Sequence, residues 1–186
     1  MSHERFEFTQ VELLNLLDYN PSTGELVWKE RTGLKGKASA WNKRYAGTVA
    51  GAMSGNRVNV TIRKVGVDGM TFVKHYRAHN LIWFMQTGHQ VPEGFIVDHK
   101  DGNGLNNTWG NLRLATNSQN SMNRCVQSNN RSGKTGVRWD STRGKWKAEI
   151  KIGRKCKHIG RFDSFEDAVS ARNQYEIELF GEFRRI

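Results

Sequence analysis

The chain has only two cysteines, Cys125 and Cys156, among 186 residues, and no Cys-x-x-Cys pair. That excludes a disulfide framework and argues against a Cys-ligated site, so no structural zinc is expected. There is no apolar run near the roughly 18 residues that a membrane span needs. The longest, around Ile82-Trp83-Phe84-Met85, is far too short. The N-terminus carries Glu4, Glu7 and Glu12 where a secretory leader would be basic and then apolar. An intracellular protein with no membrane partner is therefore expected. The aromatic pattern of an RNP-type RNA-binding sheet is missing as well. Acidic residues are outnumbered, with 18 Asp and Glu against 29 Lys and Arg and a formal charge of +11. That balance points to a polyanionic partner.

The length suits one medium domain or two small ones. Charge is uneven, with 14 basic and 10 acidic residues in 1–122 but 15 and 8 in 123–186. The shorter C-terminal part is the more basic and is expected to supply much of the affinity for a nucleic-acid backbone. Thr9-x-x-Glu12 opens a short helix as a capping box, and Asn20-Pro21 should end it near Tyr19. A turn at 20–24 leads to a short strand at 25–29, and 33–55, rich in glycine and lysine, reads as loop with brief strands. Val58, Val60 and Ile62 alternate as in a half-buried strand, which a turn at 66–69 pairs with a second strand ending near Tyr76. Ala78, Leu81, Ile82 and Met85 recur at helical spacing, and Gly88 closes that helix.

The residues that carry chemistry lie in 96–124, IVDHKDGNGLNNTWGNLRLATNSQNSMNR. A strand should run into Asp98-His99, turn through Asp101-Gly102-Asn103-Gly104 and return over 111–115. A short helix capped by Thr116 or Asn117 should follow, to about Arg124. Phosphodiester cleavage needs an activated water and stabilisation of the charge that develops on the phosphate and leaving oxygen. A histidine near neutral pKa can serve the first need. A hard cation held by oxygen ligands serves the second. His99 is the candidate base and Asp98 a candidate metal ligand. Adjacent strand residues point to opposite faces, so both can reach one site only at a strand end or a distortion. Asn117, Asn120 and Asn123 share one helix side by spacing, and residue chemistry alone does not choose among them.

Three stretches resemble the HNH endonuclease family, in particular the homing endonucleases of phages and group I introns. They are Ala78-His79-Asn80-Leu81-Ile82-Trp83, Asp98-His99-Lys100-Asp101-Gly102-Asn103, and Asn111-Leu112-Arg113 with 117–120. The resemblance covers about a quarter of the chain. It implies a ββα-metal fold with His99 as general base, Asp98 as metal ligand and Asn111 fixing the loop and the His99 backbone. Asn120 would complete the metal site, standing where the family name has its last histidine. Two protein ligands leave the remaining positions to water and DNA oxygens, which suits Mg²⁺ or another hard divalent ion such as Mn²⁺. His79 and His75 read as structural or DNA-facing, and Asp101, Asn103, Asn106 and Asn107 as loop-formers.

Past a polar linker at 127–134, three strands at 136–139, 146–152 and 158–162 precede a helix opened by Ser164. Gly136-Val137-Arg138, the 145–151 segment, Ile159-Gly160-Arg161-Phe162 and the helix 165–172 resemble the plant ethylene-response-factor (Apetala-type) DNA-binding domain. That implies a three-stranded sheet in the major groove, with Arg138, Trp146, Lys147, Glu149, Lys151, His158 and Arg161 on the DNA. His158 stands where that family has tryptophan.

The expected fold is thus α+β: an N-terminal region with the nuclease centre (1–126), the linker, and a small antiparallel sheet packed on one helix (135–186). The expected function is a metal-dependent, site-selective endonuclease on double-stranded DNA. It would act as a monomer that nicks or as a homodimer, and the resemblance implies a homing role in phage-infected or prokaryotic cytoplasm. The rival is a non-catalytic DNA-binding regulator with a decayed centre.

Overall fold

Leucines in the N-terminal segment begin the core. The computed structural model describes residues 6–32, 37–65, 71–122, 130–152 and 155–183. The turn expected at 66–69, the helix end at Arg124, Cys125, residues 127–129 of the linker and residues 153–154 lie outside them. The chain divides into two compact units, Met1–Leu114 and Ala115–Ile186, and helix and strand are mixed in both.

In the first unit the capping box forms. The Glu12 N–H donates to Thr9 Oγ1 at 3.2 Å, and the Thr9 N–H donates to the Glu12 carboxylate at 2.7 Å. Helix α1, Gln10–Leu16, stops three residues short of Tyr19. Leu17–Tyr19 (β1) pairs antiparallel with Leu26–Trp28 (β2) instead. The Asn20 side chain accepts from the Ser22 and Thr23 N–H groups and closes the turn between them. A ladder partner therefore wins over continued helix, and Leu13 and Leu17 are both fully buried.

The glycine- and lysine-rich 33–55 segment is not simply loop, because Lys37–Tyr45 is a helix, α2. Tertiary contacts hold it. Trp41 meets Trp28 edge-on at 5.7 Å, the Arg31 guanidinium lies 3.8 Å over the Trp41 ring, and Asn42 bonds the Arg31 backbone. No apolar periodicity announces such a helix.

Strands β3 (Ala52–Met53), β4 (Val58–Val65) and β5 (Thr71–Arg77) form a sheet in that order, with Val60 opposite Tyr76. Val60, Ile62 and Tyr76 face inward onto α3, Ala78–Thr87. That helix has no side-chain cap at Arg77. A cap is worth about 1 kcal/mol, whereas burying Leu81, Ile82, Phe84 and Met85 contributes roughly 1.5–3 kcal/mol each, so packing decides. Gly88 ends α3 at φ 72°, donating to the Phe84 carbonyl. Phe6, Phe8, Tyr76 and Phe84 form an aromatic cluster around it. Strand β6, Phe95–His99, then pairs with β7, Leu112–Thr116.

In the second unit, helix α4 (Asn117–Met122) is opened by Thr116, which accepts from the Gln119 N–H while Gln119 accepts from its N–H. Strands β8 (Val137–Asp140), β9 (Lys145–Ile152) and β10 (Lys155–Phe162) form an antiparallel meander. Helix α5, Phe165–Phe180, packs on all three strands. Val137, Ala148 and Ala168 centre the core, with Trp146, Phe162 and Phe165 against them. Residues 130–134, expected as linker, are tied to this unit. Ser132 Oγ donates to the Val137 carbonyl at 2.6 Å, and Lys134 pairs with Glu176 at 3.0 Å. Gly136, at φ 80°, allows the close approach of β9, since a Cβ there would stand 2.3 Å from the Glu149 carbonyl oxygen.

Candidate active site

Asp98 and His99 end β6, and both are buried, at 6% exposure each. They make different contacts. Arg113 on β7 donates from Nε and Nη2 to Asp98 Oδ2, at 3.1 and 3.0 Å. The Lys100 N–H donates to the Asn111 carbonyl, a register that sets 98 across from 113. His99 Nε2 lies 3.0 Å from Asn107 Oδ1, and its ring meets His79 of α3 edge-on at 5.0 Å. Burial, the largest influence, lowers the His99 pKa below its ordinary value. The Asn107 hydrogen bond raises it, nearby Arg57 lowers it, and Asp101 and Asp98 raise it. His79 is pushed well below the ordinary value, first by burial and then by His99, Arg57 and Arg77. Both shifts favour the neutral imidazole, the form in which a histidine can accept a proton.

The loop after His99 is built from side-chain amides. Asn111 Nδ2 donates to Asp101 Oδ1 at 3.0 Å and to the Asn106 carbonyl at 2.7 Å, while its Oδ1 accepts from the Asp101 N–H. Asp101 also accepts from the Asn103 N–H and the Asn106 amide. Burial opposes its charge, but these hydrogen bonds outweigh it and hold its pKa low. Gly104 presses on the Asn56 carbonyl, leaving no room for a Cβ. Asn111 thus ties both ends of the loop together, and its backbone carbonyl holds the residue after His99.

Asn120 lies half-buried on α4 in the second unit, Asn117 is exposed, and Asn123 falls outside the described residues. Among the described residues no group of three or more His, Cys, Asp or Glu side chains converges as a metal site. The donor chemistry at Asp98 fits a hard divalent ion: one protein carboxylate, with amide, water and phosphate oxygens for the rest.

The ladder of the C-terminal sheet sorts the residues expected on DNA. Arg138 is opposite Lys147, and Lys147 is opposite Arg161. Strand alternation adds Glu149 and Lys151 to that face, and His158, opposite Glu149, joins it. Six of the seven therefore share the face turned away from α5. Trp146 does not. It is opposite Trp139 and Phe162 and packs on Phe165 of α5 at 4.8 Å, filling the space between sheet and helix. The outer face is also internally paired: Glu149 with Lys147 and Arg138, and Asp140 with Arg161.

Three residues at the centre were not placed there by the sequence reading. Asn107 was legible only as a loop-former, and Arg113 only as part of a motif. His79 had the right residue type but no signal of its proximity to His99.

A model of the HNH endonuclease family matches residues 76–122, from the end of β5 through α4. Protein 3.8 of Escherichia phage T7 is 34% identical over 114 residues, 61% of this chain and 93% of that protein. The uncharacterized HNH endonuclease L560 of Acanthamoeba polyphaga mimivirus is 39% identical over 105 residues, 56% of this chain and 54% of that protein. The chain thus spans about half the length of the mimivirus relative. A solved structure described as DNA binding and cleavage by the HNH homing endonuclease I-HmuI is 25% identical. The match covers 56% of this chain and 49% of that one, with a TM-score of 0.38.

Proposed function

The chain belongs to the HNH endonuclease family, and we propose that it is a metal-dependent, site-selective endonuclease of double-stranded DNA. The observation that carries this reading is the buried His99 beside Asp98 at the end of β6, with Asn111 bonding across the loop that follows. His99 takes the proton of the attacking water. Asp98 supplies the carboxylate ligand for a Mg-type ion, and Asn120 a neutral oxygen. Such an ion, when bound, supplies Lewis-acid stabilisation of the phosphate and of the departing 3′ oxygen. Asn111 keeps the loop, and with it the His99 backbone, in place. One such centre cuts one strand per visit, so a monomer nicks, and a dimer or two visits would break both strands. The outer face of the C-terminal sheet binds DNA through Arg138, Lys147, Lys151, His158 and Arg161. The phage and giant-virus relatives support action inside infected cells.

Supercoiled plasmid incubated with Mg²⁺ should convert to open circle. Conversion should disappear in His99→Ala and with chelator. Equal cleavage by His99→Ala would reject His99 as the base. Absence of any cleavage on sequence-diverse DNA would favour a DNA-binding regulator.

A further inference from the structure

Resting on the reading of His99 as general base, we propose that Asn107 is a positioning residue that fixes the His99 imidazole as its Nε2–H tautomer. Nδ1 is then the nitrogen that receives the proton of water. The contact is Asn107 Oδ1 to His99 Nε2, at 3.0 Å. An amide oxygen only accepts, so the bond requires the hydrogen to sit on Nε2. The orientation of the amide is itself determined, because Asn107 Nδ2 is directed at the Leu105 carbonyl at 3.5 Å. Rotating the amide would bring two acceptor oxygens together at Leu105.

Asn107 differs from the other asparagines of its loop. Asn103 and Asn106 spend their side-chain oxygens on local turns, accepting from Leu105 and Thr108. Asn107 is 3% exposed and turns inward. Its backbone is held from the N-terminal hairpin. The Tyr19 hydroxyl donates to the Asn107 carbonyl at 2.8 Å, and burial raises that phenol to about 12, so it stays a donor. Gly24, at φ 79°, approaches so closely that a Cβ would lie 2.6 Å from the Asn107 carbonyl carbon. The Trp109 N–H donates to the Pro21 carbonyl on the same hairpin. The β1–β2 hairpin thereby clamps a side chain that orients the base.

In the step that follows, an O–H bond of water breaks and its proton goes to Nδ1 as the water oxygen bonds to phosphorus. The P–O3′ bond then breaks, its electron pair leaves on O3′, and that oxygen is protonated from solvent. A wrong tautomer presents an N–H to the water in place of a lone pair.

The test is the ¹⁵N spectrum of the histidine imidazoles in the full chain at pH 7.5, with His99 assigned by comparison with His99→Ala. The wild type should show His99 protonated on Nε2. Asn107→Ala should lose that fixed tautomer and cleave about 10²-fold or more slowly. Asn107→Asp, which still accepts from Nε2–H, should keep the tautomer and recover part of the rate. A wild-type spectrum with His99 protonated on Nδ1, or an unchanged tautomer in Asn107→Ala, would overturn the proposal. The wild-type spectrum decides even if a variant fails to fold. Wild-type cleavage by His99→Ala would instead overturn the base assignment, and the spectrum would still report on Asn107 separately.

Discussion

Arg113 and Asp98 form a buried ion pair across the β6–β7 hairpin, with two guanidinium nitrogens on one carboxylate oxygen and side chains 9% and 6% exposed. A carboxylate taken out of water without a partner costs several kcal/mol. The pair therefore offsets the cost of burying the Asp98 side chain.

Arg113→Ala leaves the Asp98 charge without this partner and should destabilise the protein by about 3–5 kcal/mol, measured by urea denaturation. Adding Asp98→Asn should recover part of the loss, because the charge that lost its guanidinium partner is gone. If Asp98 is a metal ligand, a divalent ion binds the folded state only. Mg²⁺ should then raise the melting temperature of Arg113→Ala more than that of the wild type. An equal or smaller rise would count against Asp98 as ligand.

The nuclease hairpin was legible because its signals are local. A strand pattern, a turn rich in Asn and Gly, and a cap at Thr116 each act within a few residues. Helix α2 was not legible, since Trp28, Arg31 and Trp41 hold it through contacts that no local period encodes. Asn107 and Arg113 were hidden for a related reason. Asparagine in a turn has an ordinary local use, and only the folded hairpin directs one inward. Trp146 failed on register: one place along a strand exchanges the outer side for the helix-facing side.

Acid should weaken the second unit. Asp140 is held below its ordinary 3.8, chiefly by the hydrogen bond from Arg161. Glu149 is held below 4.5, chiefly by Lys147, with burial opposing and Arg138 assisting. A carboxylate with a depressed folded pKa stabilises fully above its unfolded value and loses that contribution as pH falls through the folded one. Melting temperature should therefore decline as pH drops below about 4.5. Glu149→Gln should reduce the slope of that decline, and an unchanged slope would refute the assignment.

Gly136→Ala tests the approach of β8 to β9. The substitution forces a Cβ against the Glu149 carbonyl and the Arg172 side chain at a positive φ. The loss should exceed about 1 kcal/mol. It should appear as faster amide exchange in β8, β9 and α5, with the first unit's core, around Leu81 and Ile82, unchanged. Uniform loss of protection in both units would show that they do not unfold separately.

Any binding by the outer face of the C-terminal sheet turns on Glu149. If that face binds DNA through phosphates, Lys147 and Arg138 must loosen from Glu149 to reach them. Glu149→Gln should then tighten binding, because a competing anion is removed. If Glu149 instead accepts from a cytosine amine, the same change should weaken binding by about 1–3 kcal/mol at that base. Lys151→Gln, on the same face and exposed, should lower the slope of log affinity against log salt by about 0.9. Trp146→Leu should leave that slope alone and reduce stability, because Trp146 packs on Phe165 beneath the sheet. Fluorescence anisotropy over a salt series separates these outcomes. A salt-independent affinity would remove the sheet from the list of DNA contacts altogether.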